Sequence, residues 1–167
     1  MQDARLYLRP YYNFDIATAA VASPTGAKLA GRYGKGMISI DATTAAGFDS
    51  LAQHWDVVET GAKHHRHVAD RSKWRLVGLC HIADTMNQAK RDVEYGIEHW
   101  FHYFKEIAAF PQMSMPGQSA KEMIAFINDS GFGAIGTPEM CRAQIERLWK
   151  QSNGGFGAYL TLAHNWA

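Results

Sequence analysis

Residues 16–40 read IATAAVASPTGAKLAGRYGKGMISI, and this stretch decides the fold. It opens with a small, unbroken apolar run, which is typical of a strand buried on both faces of a parallel sheet. Ser23 and Pro24 predict a helix start, because serine is a common N-cap and proline suits the first helical position. Gly34 predicts its end, because glycine readily takes the left-handed conformation there. A second apolar run follows, so the stretch predicts a strand–helix–strand unit whose two strands are parallel neighbours.

The junction between the first strand and its helix carries the first functional candidate. At such a junction, unpaired backbone N–H groups and the positive end of the helix dipole face outward. The hydroxyls of Ser23 and Thr25 lie beside it, and Gly26 is expected to allow close approach of a ligand, so the junction suits a phosphate. The residues alone leave a second interpretation open, in which Ser23 only caps its own helix.

The composition predicts an ordinary soluble globular protein. The chain has 167 residues, of which 47% are hydrophobic and 20% charged, enough for one domain with its own core. A formal net charge of +1 gives no basis for a nucleic-acid-binding face, and no apolar run is long enough to span a bilayer. Cys80 and Cys141 are distant in sequence, and we expect two buried thiols in a reducing cytoplasm.

Strands and helices alternate along the rest of the chain. The pattern predicts a helix from about Gly47, a third strand at residues 74–82, and a long helix that is capped at Asp84-Thr85 and runs to Phe104. It then predicts a helix capped by Ser119, a short strand or turn before a helix at Thr137-Pro138, and a last strand at 158–162. This alternation predicts an α/β fold with a parallel sheet. Residues 1–167 form a single domain in this interpretation, with an insert at about 107–118.

Two histidine features are candidates for chemistry. His81 lies near the carboxyl end of the third strand, where barrel and open-sheet enzymes place catalytic groups, although a histidine satisfied by core hydrogen bonds fits the same position. His64, His65 and His67 invite a metal interpretation, but no carboxylate or cysteine lies at matching helical spacing. Because histidines complement the dipole at a helix carboxyl end, we expect a solvated helix end and no metal site there.

The edges of the predicted sheet are unprotected. Four strands with their helices are too few to close a (β/α)8 barrel, which typically needs about 250 residues. An open sheet would leave two edge strands, and the predicted strands that contain Ile16 and Leu160 carry none of the charges and prolines that usually protect such edges. We therefore expect each edge to pair with further strands, from an upstream segment or from a second copy of the chain.

Four stretches resemble the bacterial-luciferase-like, flavin-dependent monooxygenases, and they occur in the family's order. They are residues 21–34 (VASPTGAKLAGRYG), 74–85 (WRLVGLCHIADT), 136–145 (GTPEMCRAQI) and 154–166 (GGFGAYLTLAHNW). Together they span nearly the whole chain, and they are most similar to the branch that includes limonene-type monooxygenases.

The resemblance implies a (β/α)8, or TIM, barrel of roughly twice this length, of which the chain is a partial barrel with strands five to eight. It also implies an enzyme that uses reduced FMN, or F420 in some branches, and dioxygen to oxygenate a small organic substrate, usually as a dimer and with a flavin reductase as electron supplier. Ala22, Ser23, Thr25 and Gly26 match the phosphate end of the family's flavin site. The strands that supply much of the family's ring pocket, and the histidine regarded as catalytic, have no counterpart here.

Three functions therefore remain open on the sequence. The first is the C-terminal part of a luciferase-like monooxygenase. The second is a non-catalytic half-barrel that dimerises and at most binds flavin or phosphate. The third is an assembly protein with no ligand at Ser23. In the insert, Phe110, Met113 and Met115 suggest an apolar substrate.

Overall fold

The computed structural model describes residues 10–12, 14–107, 117 and 119–162. Its strands are β1 (Ala17–Ala20), β2 (Gly36–Ser39), β3 (Trp74–Ile82), β4 (Gly133–Gly136) and β5 (Ala158–Leu162). Its helices are α1 (Thr25–Tyr33), α2 (Ala45–His64), α3 (Met86–Glu94), α4 (Ile97–His102), α5 (Ala120–Ser130) and α6 (Pro138–Gln151). A 3-10 turn (Arg71–Lys73) precedes β3, and a π-helical turn (Tyr103–Ile107) follows α4. The predicted bounds of β3 and β5 are confirmed.

All pairings in the sheet are parallel, which confirms the predicted α/β class. β2 lies between β1 and β3, and β3 also pairs with β4 and β5. β2 and β5 both pair with Arg75 and Leu76, so they must lie on opposite edges of β3. β4 joins β3 nearer its carboxyl end, from Leu79 to Ile82. Four strands therefore follow one another across the sheet in chain order, as β1, β2, β3 and β5.

The main core lies on one face of this sheet, under α1, α2 and α6. Met37, Trp74 and Leu76 are fully buried there, and Trp74 stacks on Trp55 of α2 with ring centroids 5.0 Å apart. The indole N–H of Trp74 donates to Ser39 Oγ at 3.0 Å, so its polar atom is satisfied inside the core.

The opposite face is covered unevenly. Around Leu79 and Ile135 it packs under α3, α4 and α5, which form a second core. Toward β1 and β5 the same face carries Ala19, which is exposed, and Leu160, which is 40% exposed. The prediction that β1 is buried on both faces is therefore wrong, because within the described residues only α1 and the core beneath it cover this strand, on one face.

Two local predictions have different outcomes. Gly34 ends α1 in the left-handed conformation, with φ 60°, as expected. The single long helix expected from Thr85 to Phe104 is wrong, since α3 ends at Glu94 and α4 begins after Gly96. The glycine that separates them lacks helix propensity, and the pattern of apolar residues alone does not register that break. Most of the insert, including Phe110, Met113 and Met115, lies outside the described residues.

No helix in the described part of the chain is both long and apolar enough to cross a membrane.

Candidate functional site

The junction between β1 and α1 is exposed, as a binding loop requires. Ser23, Pro24 and Thr25 are all accessible at the carboxyl end of β1. The helix begins one residue later than predicted, with Pro24 as its N-cap and no side-chain cap. Ser23 Oγ instead lies 3.4 Å from Thr25 Oγ1. The interpretation that Ser23 caps α1 is therefore wrong, and its hydroxyl lies outside the helix.

The first turn of α1 presents a set of donors. The first bond along the helix runs from Lys28 N–H to Pro24 C=O at 2.9 Å, so the amides of Thr25, Gly26 and Ala27 precede it and have no acceptor within their own helix. The first turn carries no acidic residue. Amide donors, two adjacent hydroxyls and the positive end of a helix dipole, in a first turn that carries no carboxylate, fit a phosphate group.

Gly26 has a different role from the one expected. A Cβ at this position would meet Ala19 O at 2.0 Å and Ala20 Cα at 2.8 Å, so the missing side chain faces β1 and not the exposed side of the loop. Thr18 Oγ1 donates to Gly26 O at 2.8 Å across the same contact. Gly26 therefore lets α1 dock closely on β1 and so places the first turn where it is.

Behind the loop lie two buried polar residues that sequence reasoning missed, Asp41 and His54. Asp41 is 3% exposed and His54 is 2% exposed. His54 Nε2 lies 3.2 Å from Ala22 O, and the backbone N–H groups of Ala22 and of Asp41 itself point at the Asp41 carboxylate. Burial raises the pKa of the Asp41 carboxyl, and these amides together with His54 oppose that rise. Two features of the sequence could have indicated these residues. Asp41 is a charged residue directly after a buried strand, and His54 is a histidine inside the apolar face of α2.

His81 lies at the carboxyl end of β3, as predicted. Its Nε2 is 3.1 Å from Asp92 Oδ2 on α3, an arrangement that suits the hydrogen-bonded core histidine left open by the sequence. β2 separates β3 from β1, and among the described contacts none joins His81 to Ser23. Ala83 N–H donates to Gly136 O at 2.9 Å, so the turn before α6 lies beside this end of β3.

The histidines near the end of α2 are exposed. His64 ends the helix and His65 follows it, with their rings 4.8 Å apart. In the ranges that the structure describes, no three histidine, cysteine or acidic side chains are grouped so as to hold a metal ion.

The sequence of the chain matches that of a known protein family. The profile of the luciferase-like monooxygenase family matches residues 2–154. Limonene 1,2-monooxygenase of Rhodococcus erythropolis is 43% identical over 170 residues, which cover 99% of this chain and 42% of that protein. The 4-hydroxyprotoasukamycin monooxygenase of Streptomyces nodosus subsp. asukaensis is 29% identical over 174 residues, which cover 100% of this chain and 46% of that protein. The chain therefore spans less than half the length of the curated relatives it matches.

Solved structures agree with this placement. The oxygenating constituent of 3,6-diketocamphane monooxygenase from Pseudomonas putida, a type II Baeyer–Villiger monooxygenase in complex with FMN, has a TM-score of 0.67 at 25% identity and covers 90% of this chain and 42% of that one. An F420-dependent secondary alcohol dehydrogenase shares the fold, with a TM-score of 0.54 at 20% identity over 95% of this chain and 46% of that one.

These matches confirm the predicted fold class, an α/β chain that corresponds to part of a TIM barrel. They also confirm the resemblance stated from the four sequence stretches. Because the family profile covers most of the sequence and a 43% identical relative aligns along nearly all of it, the chain belongs to the luciferase-like monooxygenase family.

Proposed function

We propose that this chain binds the phosphate of reduced FMN at the first turn of α1 and serves as the phosphate-binding portion of a flavin-dependent monooxygenase. The observation that carries the proposal is the donor set at the carboxyl end of β1: the hydroxyls of Ser23 and Thr25 lie 3.4 Å apart, beside first-turn amides that precede the first bond of the helix. Ala22 contributes backbone, and Gly26 contributes the close docking of α1.

The proposed chemistry belongs to the cofactor. Reduced FMN, when bound, supplies the electrons with which dioxygen is activated to oxygenate a small organic substrate. The residues of this chain bind and orient the phosphate tail, and thereby fix where the ring lies relative to the barrel. An alternative cofactor is F420, whose tail also carries a phosphate, and the family likeness includes a protein that uses it. His81 remains a candidate catalytic residue, paired with Asp92 in the present arrangement.

The remaining partners are also proposals. A separate flavin reductase would supply the reduced cofactor, and the chain would act in the cytoplasm. We further propose that the chain assembles with a second copy. Among the described residues, β1 pairs with β2 along one edge and β5 pairs with β3 along one edge, so the other edge of each strand is available for a partner. Light scattering of the purified chain would measure this, and a monomeric mass would contradict it.

The open strand edges favour one alternative function. A half-barrel that dimerises through β1 and β5 would bury Ala19 and Leu160, and it would bind flavin or phosphate without turnover. Oxygen uptake that depends on FMN, a reductase and a terpene-like substrate supports the enzyme, and flavin binding without such uptake supports the non-catalytic alternative.

The phosphate site is tested by comparing FMN with riboflavin, which lacks the phosphate, in fluorescence titrations. Replacing Ser23→Ala and Thr25→Ala together should weaken FMN binding by about a hundredfold or more, because two hydrogen bonds to a charged group are lost and each contributes about 1.5–3 kcal/mol. Riboflavin affinity should not change. Ser50→Ala is the matched control, because its exposed hydroxyl bonds to Ala46 O within α2, away from the β1–α1 junction. Equal affinity of the unmodified chain for FMN and riboflavin would rule out the phosphate site.

A further inference from the structure

The backbone at Ala22 is held by side chains where the strand ladder stops. The last described bond between β1 and β2 runs from Ile40 N–H to Ala20 O at 3.0 Å. Beyond it, the chain turns toward Ser23, and the polar groups of the Ala22 backbone need other partners. The Ala22 N–H faces the Asp41 carboxylate and opposes the rise in its pKa, and His54 Nε2 lies 3.2 Å from the Ala22 carbonyl oxygen. Asp41 lies just before α2, and His54 lies within it.

Asp41 and His54 are both anchored through α2. The Asp41 carbonyl accepts from Thr44 N–H at 2.9 Å and from Thr44 Oγ1 at 3.0 Å, which anchors Asp41 to the start of α2. At Gly47 a Cβ would lie 2.0 Å from Asp41 O and 2.8 Å from Asp41 Cγ, so the first turn of α2 closes directly on Asp41. His54 lies on the same helix as the buried residues Leu51, Trp55 and Val58.

The position of His54 determines the direction of the next amide. A trans peptide is planar, and its N–H and C=O groups point in opposite directions. His54 Nε2–H donates to the Ala22 carbonyl from the helix side, so the Ser23 N–H in the same peptide points away from His54. Ser23 as a whole is exposed, on the side of the loop away from the core that holds His54.

Helix capping does not account for the buried carboxylate of Asp41. Thr44 caps α2, with its Oγ1 accepting from Gly47 N–H at 3.1 Å, so the helix start does not need the Asp41 carboxylate. A buried carboxyl group is costly unless its hydrogen bonds repay the lost hydration. The groups that offset this cost are two backbone amides, that of Asp41 itself and that of Ala22, together with His54, so the carboxylate couples the Ala22 backbone to the start of α2.

We propose that Asp41 and His54 are positioning residues, which hold the two sides of the Ala22 backbone so that the Ser23 amide and hydroxyl are aimed at a phosphate. The proposal rests on the phosphate site described above and adds two residues to it. Asp41 acts through geometry and not through charge, because its negative charge would oppose a bound anion. An uncharged side chain that keeps the oxygen acceptor should therefore serve as well.

The test uses paired variants of the full chain. Asp41→Leu and His54→Leu remove the contacts, whereas Asp41→Asn and His54→Gln keep an acceptor and a donor, respectively. Ser39→Ala is the control, because Ser39 is 1% exposed in the same core but bonds to Trp74 and not to Ala22. Two quantities are measured: the ratio of FMN to riboflavin affinity, and the amide hydrogen exchange of Ala22 and Ser23 in the ligand-free protein.

The leucine variants should lower the affinity ratio by about tenfold, the scale of one misplaced hydrogen bond to a charged group, and should speed exchange at Ala22. Asp41→Asn and His54→Gln should restore both quantities, and Ser39→Ala should leave both unchanged even if it lowers the melting temperature. Unchanged ratios in the leucine variants of a chain that prefers FMN would overturn the positioning role alone. A wild-type chain without preference for FMN over riboflavin would overturn both the phosphate site and the positioning role. Rapid exchange of the Ala22 amide hydrogen in the wild type would overturn the positioning role but not the phosphate site.

Discussion

Replacing Gly26 by alanine should destabilise the fold, although alanine is the better helix former. The added Cβ would meet Ala19 O at 2.0 Å, where ordinary contact begins at 3.4 Å, so the two atoms must separate by about 1.4 Å. Both are held by backbone, and the only relief is a shift of α1 away from β1. That shift also strains the bond from Thr18 Oγ1 to Gly26 O.

The magnitude follows from opposing contributions. Overpacking of this kind costs about 1–3 kcal/mol and the strained hydrogen bond about 0.5–1.5 kcal/mol, whereas the gain in helix propensity is about 0.5–1 kcal/mol. The free energy of unfolding of Gly26→Ala should therefore fall by about 0.5–4 kcal/mol, with the middle of that range at about 2 kcal/mol. For a domain of this size that lowers the melting temperature by about 2–4 °C per kcal/mol.

Gly61→Ala provides a matched control. Gly61 is also helical, in α2, but a Cβ there would meet its nearest atoms, in Gly31, at 3.3 and 3.4 Å. A small adjustment accommodates that contact, so the propensity gain should bring this variant to within about 0.5 kcal/mol of wild type. Urea unfolding followed by tryptophan fluorescence reports both variants, since Trp55 and Trp74 stack in the core. A Gly26→Ala protein as stable as Gly61→Ala would refute the close docking of α1 on β1.

Two further predictions concern charged groups, the half-buried Arg71 and the buried Asp41. Arg71 donates to the carbonyls of Ser152, Asn153 and Gly155 and lies over the ring of Trp55, so Arg71→Ala should lower the free energy of unfolding by about 2–3 kcal/mol. Arg71→Lys should recover little, because an ammonium cannot reach three carbonyls as a planar guanidinium does, and a fully stable lysine variant in urea unfolding would contradict this. Because the pKa of Asp41 is raised in the folded state, the folded protein takes up a proton at a higher pH than the unfolded chain does. The contribution of Asp41 to the free energy of unfolding therefore rises as the pH falls from the folded pKa toward the ordinary value of 3.8. Asp41→Asn mimics the protonated form, so in thermal melts it should be more stable than wild type at neutral pH and should lose that advantage near pH 4. A difference in melting temperature that does not change with pH would contradict a raised pKa.

Local signals in the sequence determined much of the architecture. Ser119 and Thr85 cap their helices as predicted, with their hydroxyls accepting from Glu122 N–H and Gln88 N–H. Gly34 ends α1, and β3 has the predicted bounds. Such features depend on groups within one turn or on the alternation of side chains along one strand, so a single sequence contains the information. The four family-like stretches extended this to the barrel class.

Tertiary structure alone decided how the candidate site is supported. Asp41 and His54 reach Ala22 only because β2 pairs with β1 in one register and α2 then folds back over the end of β1. The thiols of Cys80 and Cys141, 61 positions apart, lie 2.9 Å from each other for the same kind of reason, since α6 docks on β3. Contacts of this kind depend on strand register and helix docking, which sum over many residues from distant segments. The candidate phosphate-binding turn could therefore be proposed from residues 22–26, but the buried residues behind it, Asp41 and His54, could not be predicted.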